Sequence, residues 1–223
     1  MDDHRAARSI VGDLDFPGFA VGASHQVVNG VLPVVRANAT RLADGLDVTL
    51  TYLPVDDDGN AAGSRVSALD LAGELSRLRH DHLIRIHDVI PLAGQGATPT
   101  RLVMASATAD GGSLTELLTR RAPLSVAETL TVVSPMAEAM THLHRHGVVH
   151  GALTTDAVLF TDRGMPLLAD TAIDRLSSVA LVAMAPSGTS APEIVEGYEA
   201  TTESDAYAFA AMVWTALVGS GPG

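Results

Sequence analysis

The sequence of 223 residues lacks two reactive residue types: it has no cysteine, and all fourteen of its basic residues are arginine, so it has no lysine. No site in this chain can use a lysine ammonium, a disulfide or a thiolate. Aromatic residues are also few, at 4%, although 47% of the residues are hydrophobic. We therefore expect a folded chain whose core is built mainly from Leu, Val and Ala.

An excess of positive charge is missing too. The net charge is −12 and the pI is near 5.0, which argues against nucleic acid or an anionic membrane surface as a partner. The longest apolar runs, Val179–Met184 and Phe209–Val218, are too short to cross a bilayer. Together with the absence of cysteine, these features predict a cytoplasmic segment without direct membrane contact, although a parent protein can carry membrane segments elsewhere.

In the first half of the chain, short Val- and Leu-rich runs alternate with Gly, Asn and Asp turns, a pattern typical of antiparallel strands. One acidic loop and one amphipathic helix interrupt these runs. The predicted strands are Phe19–Val21, Val27–Ala37, Asp47–Pro54, Leu83–Pro91 and Thr100–Ser106, the loop is Asp56–Gly63 and the helix is Ser67–Arg79.

After the glycine pair Gly111-Gly112, the apolar spacing becomes helical. The predicted helices are Ser113–Arg121, Ser125–Arg145 and Ser204–Val218, and Val148–Thr171 is predicted as a loop between short strands. The second helix begins with a capping box, because Glu128 follows Ser125 by three residues. The order is therefore a lobe of five strands and one helix, a glycine-containing hinge and a helical lobe.

Five short motifs follow one another at plausible spacing. They are Leu78–Ile84 (L-R-H-D-H-L-I), Leu102–Met104 followed by Gly111–Leu114, His144–His150 (H-R-H-G-V-V-H), Ala191–Glu193 (A-P-E) and Ser204–Tyr207. In this order they resemble the bacterial, actinobacterial Hanks-type Ser/Thr protein kinase family, from about Phe16 to Gly221. The resemblance implies an α+β, two-lobed kinase-like fold: a flexible N-terminus at 1–15, a five-stranded antiparallel N-lobe with helix C at 16–107, and a mostly helical C-lobe at 108–223 that ends shortly after helix F.

The segment that resembles the catalytic loop has lost its chemistry. It reads His150–Ala157, H-G-A-L-T-T-D-A, where the family pattern is H-R-D-L-x-x-x-N. Ala152 takes the slot of the proton-accepting Asp, Thr154 that of a loop lysine, and Ala157 that of the metal-binding Asn. A methyl group can neither accept a proton nor bind a hard cation.

The nucleotide-binding slots are degraded as well. Thr51 takes the place of the third-strand lysine and Leu71 that of its helix C glutamate, with Glu74 one turn along. The D-F-G element reads Asp170-Thr171-Ala172, so only the magnesium-coordinating Asp170 remains, and no G-x-G-x-x-G loop is present. The resemblance therefore implies no catalytic residue, a vestigial cofactor residue in Asp170, and weak or absent binding of ATP and magnesium.

Several other side chains could be assigned a functional role, but a structural role is the simpler interpretation. Asp156 is expected to make a local loop contact, and the histidines of the third motif together with His142 are expected to be structural rather than metal ligands. The Ser and Thr side chains near the A-P-E element are candidate phosphoacceptors, with loop and capping contacts as the alternative; they are Ser177, Ser178, Ser187, Thr189, Ser190, Thr201 and Thr202.

The leading hypothesis is a pseudokinase that acts as a protein-binding, regulatory scaffold. The resemblance implies a role in cell-envelope or phospho-signalling regulation, with a forkhead-associated domain that reads phosphothreonine, or an active Ser/Thr kinase, as partner. Two alternatives stay open: a nucleotide-binding switch without turnover, and an unorthodox Ser/Thr kinase that uses Asp170 and an arginine in place of lysine. Nothing in the sequence assigns an arginine to the cleft.

Overall fold

The computed structural model describes residues 18–29, 32–54, 62–93, 99–176 and 189–221. Parts of three sequence-based predictions lie outside these residues. They are the flexible N-terminus at 1–15, most of the acidic loop Asp56–Gly63, and the candidate phosphoacceptors Ser177, Ser178 and Ser187.

The first lobe is a five-stranded antiparallel sheet, as predicted. The prediction of Val27–Ala37 as a single strand is wrong, because the chain reverses inside that run and Asn29 pairs with Leu32. In the sequence, the glycine at position 30 is the turn signal, and the apolar residues on either side obscure it. The strands are β1 Phe19–Asn29, β2 Leu32–Arg41, β3 Asp47–Pro54, β4 Ile86–Ala93 and β5 Pro99–Ala107. They lie in the sheet in the order β1-β2-β3-β5-β4.

One helix, α1 (Ala62–Leu75), lies between β3 and β4. It begins and ends earlier than the predicted helix Ser67–Arg79. The prediction extended too far at the C-terminal end because the apolar spacing continues to Leu78, which packs against the core from beyond the helix end. The strand predicted from Leu83 begins later, at Ile86. Leu83 instead forms an isolated bridge with Leu168 of the second lobe, and this bridge ties the two lobes together.

The second lobe is mostly helical, and its long helices lie close to the predicted positions. The capping box of Ser125 and Glu128 is present, and the last helix begins two residues before the predicted Ser204 because Thr201 caps it. None of the described helices is long and apolar enough to cross a membrane. The elements are α2 Leu114–Arg121, α3 Val126–Arg145, β6 Val158–Phe160, β7 Pro166–Leu168, α4 Ile173–Leu176, α5 Pro192–Val195 and α6 Thr202–Val218, with a short 3₁₀ turn at Thr155–Ala157.

The two faces of the sheet belong to different hydrophobic clusters. On β3, Leu50 and Tyr52 pack in the outer cluster, whereas Leu53 belongs to the main core that continues into the second lobe. Because side chains alternate along a strand, Thr49 and Thr51 share the face of Leu53. The polar positions of β3 therefore point toward the space between the lobes.

Candidate functional site

A cleft of about 490 Å³ lies between the sheet and the second lobe. Its walls combine polar residues of β2, β3 and the catalytic-loop region with apolar residues of α1, β4 and β5. The residues that matter below are Arg36, Asn38, Thr49, Thr51, Asp156, Asp170 and Thr171 on the polar side, and Leu75, Ile86 and Met104 on the apolar side.

An ion pair crosses this cleft. Arg36 of β2 is paired directly opposite Thr51 of β3, so both side chains lie on the same face of the sheet. The Nη2 atom of Arg36 donates a hydrogen bond to Oδ1 of Asp170 in the second lobe, and the two side chains are only 12% and 10% exposed. The structure thus brings an arginine into the cleft, which the sequence alone did not reveal.

The backbone around Asp170 is held in an uncommon conformation. Asp170 and Ala172 have φ angles of 58° and 55°. This region costs a non-glycine residue about 1–3 kcal/mol and persists only where the surrounding structure enforces it. Contacts with His150 hold this segment: the His150 ring Nε2 lies 2.9 Å from the carbonyl oxygen of Ala169, and the Ala172 amide donates to the His150 carbonyl at 2.9 Å. The D-F-G-like segment is therefore docked on the catalytic loop.

The catalytic loop is itself anchored to α6 by one carboxylate. Asp205, whose side chain is 2% exposed, accepts hydrogen bonds from the backbone amides of His150 at 2.8 Å and Gly151 at 2.9 Å. Its Oδ2 also lies 2.8 Å from Nε2 of His144. Charge-assisted bonds of this kind are among the stronger ones in proteins, so the backbone of the loop is well fixed.

The residues in the degraded slots have mostly joined the core. Ala157 is 1% exposed and Leu71 is 7% exposed, both within the main hydrophobic cluster, and half-buried Ala152 packs against the same cluster. Thr154 is half-buried, and Glu74, the alternative for the helix C glutamate, is exposed. Of the residues that the sequence singled out for this site, the cleft is lined by Thr51 and Asp170 and, in addition, by Asp156, for which a local loop contact was expected.

The charge of the cleft is mainly negative. Among the described residues that line it, Arg36 is the only base, whereas four carry carboxylates, namely Asp110, Glu116, Asp156 and Asp170. Asp110 and Glu116 are exposed. Once Arg36 and Asp170 neutralise each other, three carboxylates remain to oppose an anionic ligand.

The histidines of α3 do not converge on one point. The rings of His142 and His146 lie 4.4 Å apart and those of His80 and His142 lie 5.1 Å apart, but no three His, Asp or Glu residues in the described part of the chain are placed to hold a metal ion. Burial lowers the pKa of His142, and the nearby His146, His80 and Arg145 lower it further.

The side-chain contacts of two candidate phosphoacceptors, Thr201 and Thr202, are defined. The Thr201 hydroxyl accepts a hydrogen bond from the Ser204 amide at 3.2 Å and caps α6. Thr202 is exposed and its hydroxyl donates to Glu203 at 2.9 Å. Capping therefore accounts for Thr201, while Thr202 remains accessible.

Comparison with known proteins decides the family. The model of the family described as protein tyrosine and serine/threonine kinase matches residues 39–222. This chain belongs to the protein kinase family. The expected two-lobed kinase fold is thereby confirmed, and the cleft lies between the two lobes of a kinase domain.

The kinase relatives are bacterial, as the motifs indicated. Serine/threonine-protein kinase PknK of Mycobacterium tuberculosis is 33% identical over 145 residues, 63% of this chain and 12% of the relative. PknD of the same species is 31% identical over 69% of this chain and 22% of the relative. RqkA of Deinococcus radiodurans, a DNA damage-responsive serine/threonine-protein kinase, is 30% identical over 83% of this chain and 28% of its own length. The chain thus spans less than a third of each of these three relatives.

Proposed function

We propose that this kinase-family domain is a pseudokinase, which transfers no phosphate and acts as a protein-binding, regulatory module. One contrast supports the proposal best. The contacts that shape the catalytic loop are present, with Asp205 holding the amides of His150 and Gly151. On that loop, the positions expected to hold the proton-accepting Asp and the metal-binding Asn are Ala152 and Ala157. Their methyl groups can perform neither role.

The missing groups bear on separate parts of phosphoryl transfer. Without a carboxylate at Ala152, the acceptor hydroxyl loses the group that orients it and accepts its proton, a loss of typically 10²–10⁴-fold. Without an oxygen ligand at Ala157, a second metal ion has no support from the loop. Losses in positioning and in charge stabilisation act on the same transition state, so turnover should be negligible.

Binding of ATP and magnesium is proposed to be weak or absent. Asp170, the remaining candidate metal ligand, is engaged by Arg36, and breaking a largely buried ion pair is unfavourable. The excess of carboxylates in the cleft opposes a polyphosphate as well.

A second candidate is a nucleotide-binding switch without turnover, or with residual phosphotransfer. The observation that favours it is Arg36, which brings a permanent positive charge into the cleft beside the lysine slot at Thr51. The two candidate functions differ in whether a nucleotide binds in the cleft.

The proposed partner is a protein, and the proposed location is the cytoplasm, in a domain whose parent can be attached to a membrane. Following the family resemblance, we propose that an active Ser/Thr kinase phosphorylates the domain and that a forkhead-associated domain then binds the phosphothreonine. Thr202 is a suitable acceptor because it is exposed at the first turn of α6, where a phosphate is favourably placed by the helix dipole.

A phosphotransfer assay tests the loss of catalysis. Purified protein is incubated with radiolabelled ATP and a generic protein substrate, once with magnesium and once with manganese. We expect no incorporation above background. Stoichiometric incorporation that Asp170→Asn abolishes and the exposed control Asp162→Asn does not would overturn the pseudokinase proposal.

The partner proposal is tested by titration calorimetry with a purified forkhead-associated domain. We expect binding only after the protein has been phosphorylated by an active Ser/Thr kinase, and we expect Thr202→Val to remove it. Thr201 is left intact because it caps α6. If neither form binds, this class of partner is wrong even though the domain remains inactive.

A further inference from the structure

We propose that a basic face at the junction of the two lobes docks an acidic peptide segment of a protein partner. The face is formed by the chain that leads from α1 into β4 and by the C-terminal end of α3. Its residues are Arg79, His80, Arg85, His87, His142 and Arg145. None of them lines the cleft, and Thr202 lies on a different helix, so this surface adds to the sites proposed above.

Positive charge is concentrated in this face although the whole chain has a net charge of −12. Residues 77–87 contain three arginines and three histidines, and Asp81 is the only acidic residue among them. Arg145 adds a further base at the end of α3. A local excess of bases on an acidic protein makes a positive patch, and such a patch attracts anionic groups.

The two segments of the face meet at their histidines. The ring of His80 lies 5.1 Å from the ring of His142 on α3. Arg145 is one of the neighbours that lower the pKa of His142, after burial and two nearby histidines. The segment before β4 is also fixed to the second lobe, because the Ile84 amide donates to the carbonyl oxygen of Leu168 at 2.9 Å. The two segments therefore form one surface.

The bases also gather around His87 at the start of β4. Burial lowers the pKa of His87, and Arg85, Arg41 and Arg79 lower it further, against the opposing effect of Asp88. Asp88 is itself engaged by Arg41 at 2.8 Å, so these two charges largely offset each other. The positive charges of Arg79 and Arg85 are left to act on a ligand.

The three arginines of the face are available for binding. Arg79, Arg85 and Arg145 are exposed, and none forms an ion pair with another residue in the described part of the chain. Arg79 is held by backbone contacts instead, because its Nη1 donates to the carbonyl oxygens of Ser76 at 2.6 Å and Leu78 at 2.7 Å. Since a guanidinium has five N–H donors, this anchoring leaves donors for a carboxylate and reduces the entropy lost on binding.

The chemistry of the face favours carboxylates on a short, extended peptide. The arginine fork matches a carboxylate and can bind it through two parallel hydrogen bonds. Two exposed acidic residues adjoin the face, Asp81 beside His80 and Glu138 one helical turn before His142, so the basic area is limited in extent. Long polyanions such as DNA, and anionic membranes, would extend past it onto a surface that is acidic overall. The partner that fits is therefore an acidic peptide.

Fluorescence anisotropy with synthetic peptides tests this surface. The probe is a labelled peptide of alternating Glu and Ser, and the control peptide has Gln in place of every Glu. We expect only the Glu peptide to bind, and we expect its binding to be lost at high salt because the Debye length falls from about 10 Å at 0.1 M to about 3 Å at 1 M. A DNA duplex and vesicles of phosphatidylglycerol form two further arms. If either binds more tightly than the Glu peptide, the choice of partner is wrong.

Two double variants with the same change in charge locate the binding. Arg85→Gln with Arg145→Gln should lower the affinity for the Glu peptide on the order of tenfold or more, since charge-assisted hydrogen bonds are among the stronger ones. Arg120→Gln with Arg121→Gln changes the end of α2, which contacts the start of α3 through Arg121 and Glu128. Because α3 has 20 residues and is about 30 Å long, this change lies far from Arg145 and should alter the affinity by less than about twofold. If the first double variant does not fold, Arg85→Gln alone is compared with Arg120→Gln, and a severalfold loss is expected only for Arg85→Gln.

The outcomes are distinct from those of the phosphotransfer and calorimetry assays. Equal losses in the two double variants would reveal a general charge effect and would overturn the proposed docking surface. So would the absence of binding at millimolar Glu peptide, although the pseudokinase and phosphothreonine proposals would then stand, because neither uses these residues. Self-association that disappears in Arg85→Gln with Arg145→Gln would assign the face to a second copy of the chain and overturn the peptide assignment. Phosphate incorporation by a protein that still binds the Glu peptide through Arg85 and Arg145 would overturn the pseudokinase proposal and support the docking surface.

Discussion

Removing one partner of the Arg36–Asp170 ion pair should destabilise the domain more than removing both. Breaking a buried pair on one side typically costs about 3–5 kcal/mol, whereas replacing both partners by uncharged groups is often neutral. Because both side chains retain about a tenth of their exposure, solvent softens the cost. We therefore expect about 2–3 kcal/mol for Arg36→Met or Asp170→Asn alone, less than about 1 kcal/mol for the double variant, and a coupling of at least about 3 kcal/mol.

Urea unfolding followed by circular dichroism measures these values, with the slope of the transition checked for constancy. Asparagine is the substitution of choice at Asp170 because it tolerates the φ of 58° there. Arg41→Met is the matched control; its partners Asp44 and Asp88 are 49% and 44% exposed, so its loss should be below about 1 kcal/mol. If the two single losses simply add, the pair does not form in solution and the reasoning built on it fails.

Three further predictions test the framework around the cleft. Asp205→Ala leaves two backbone amides of the catalytic loop without their acceptor and should cost about 3 kcal/mol in urea unfolding. The control Glu203→Ala, on the same helix, should cost less than about 1 kcal/mol. Near-equal losses for the two variants would contradict the anchoring role. Gly111→Ala places a Cβ 2.3 Å from a backbone oxygen and should destabilise by about 2 kcal/mol, while Gly73→Ala, with open space around it in a helix, should be neutral or stabilising. The pKa of His142 is lowered on folding from its ordinary value of 6.5, so the unfolded chain binds more protons than the folded one. The unfolding temperature should therefore fall as the pH drops below 6.5, and this dependence on pH should be weaker in His142→Gln. An unchanged dependence in the variant would show that His142 does not titrate as inferred.

The fold could be predicted because local and global signals agree. The strand and helix periods, the capping box at Ser125 and the kinase-like motifs all indicate the same order of elements. The errors concern boundaries. The reversal of the chain between Asn29 and Leu32, inside an apolar run, was missed. The helix was extended to Arg79 because Leu78, a core residue just beyond the helix end, continues its apolar spacing.

The chemistry of the cleft could be predicted only in part. The assignment of Ala152 and Thr51 to the slots of the catalytic Asp and the third-strand lysine rests on motif alignment and stays a prediction. The presence of Arg36 in the cleft does not follow from motif alignment, because it depends on the register between β2 and β3. The Asp44-Gly45 pair suggests a two-residue turn, which would shift that register by two, whereas the amide of Arg41 bonds to the carbonyl of Leu46 around a longer loop.

The ion pair also changes what the presence of Asp170 means. A carboxylate of this low exposure without a partner would be costly to keep in a folded protein, so its presence alone would argue for a bound metal. With Arg36 beside it, the same carboxylate has a structural role without any ligand, because it ties the sheet of the first lobe to the D-F-G-like segment of the second. The contact between these two side chains can help to fix the two lobes relative to each other. A ligand that binds at Asp170 would have to replace that contact.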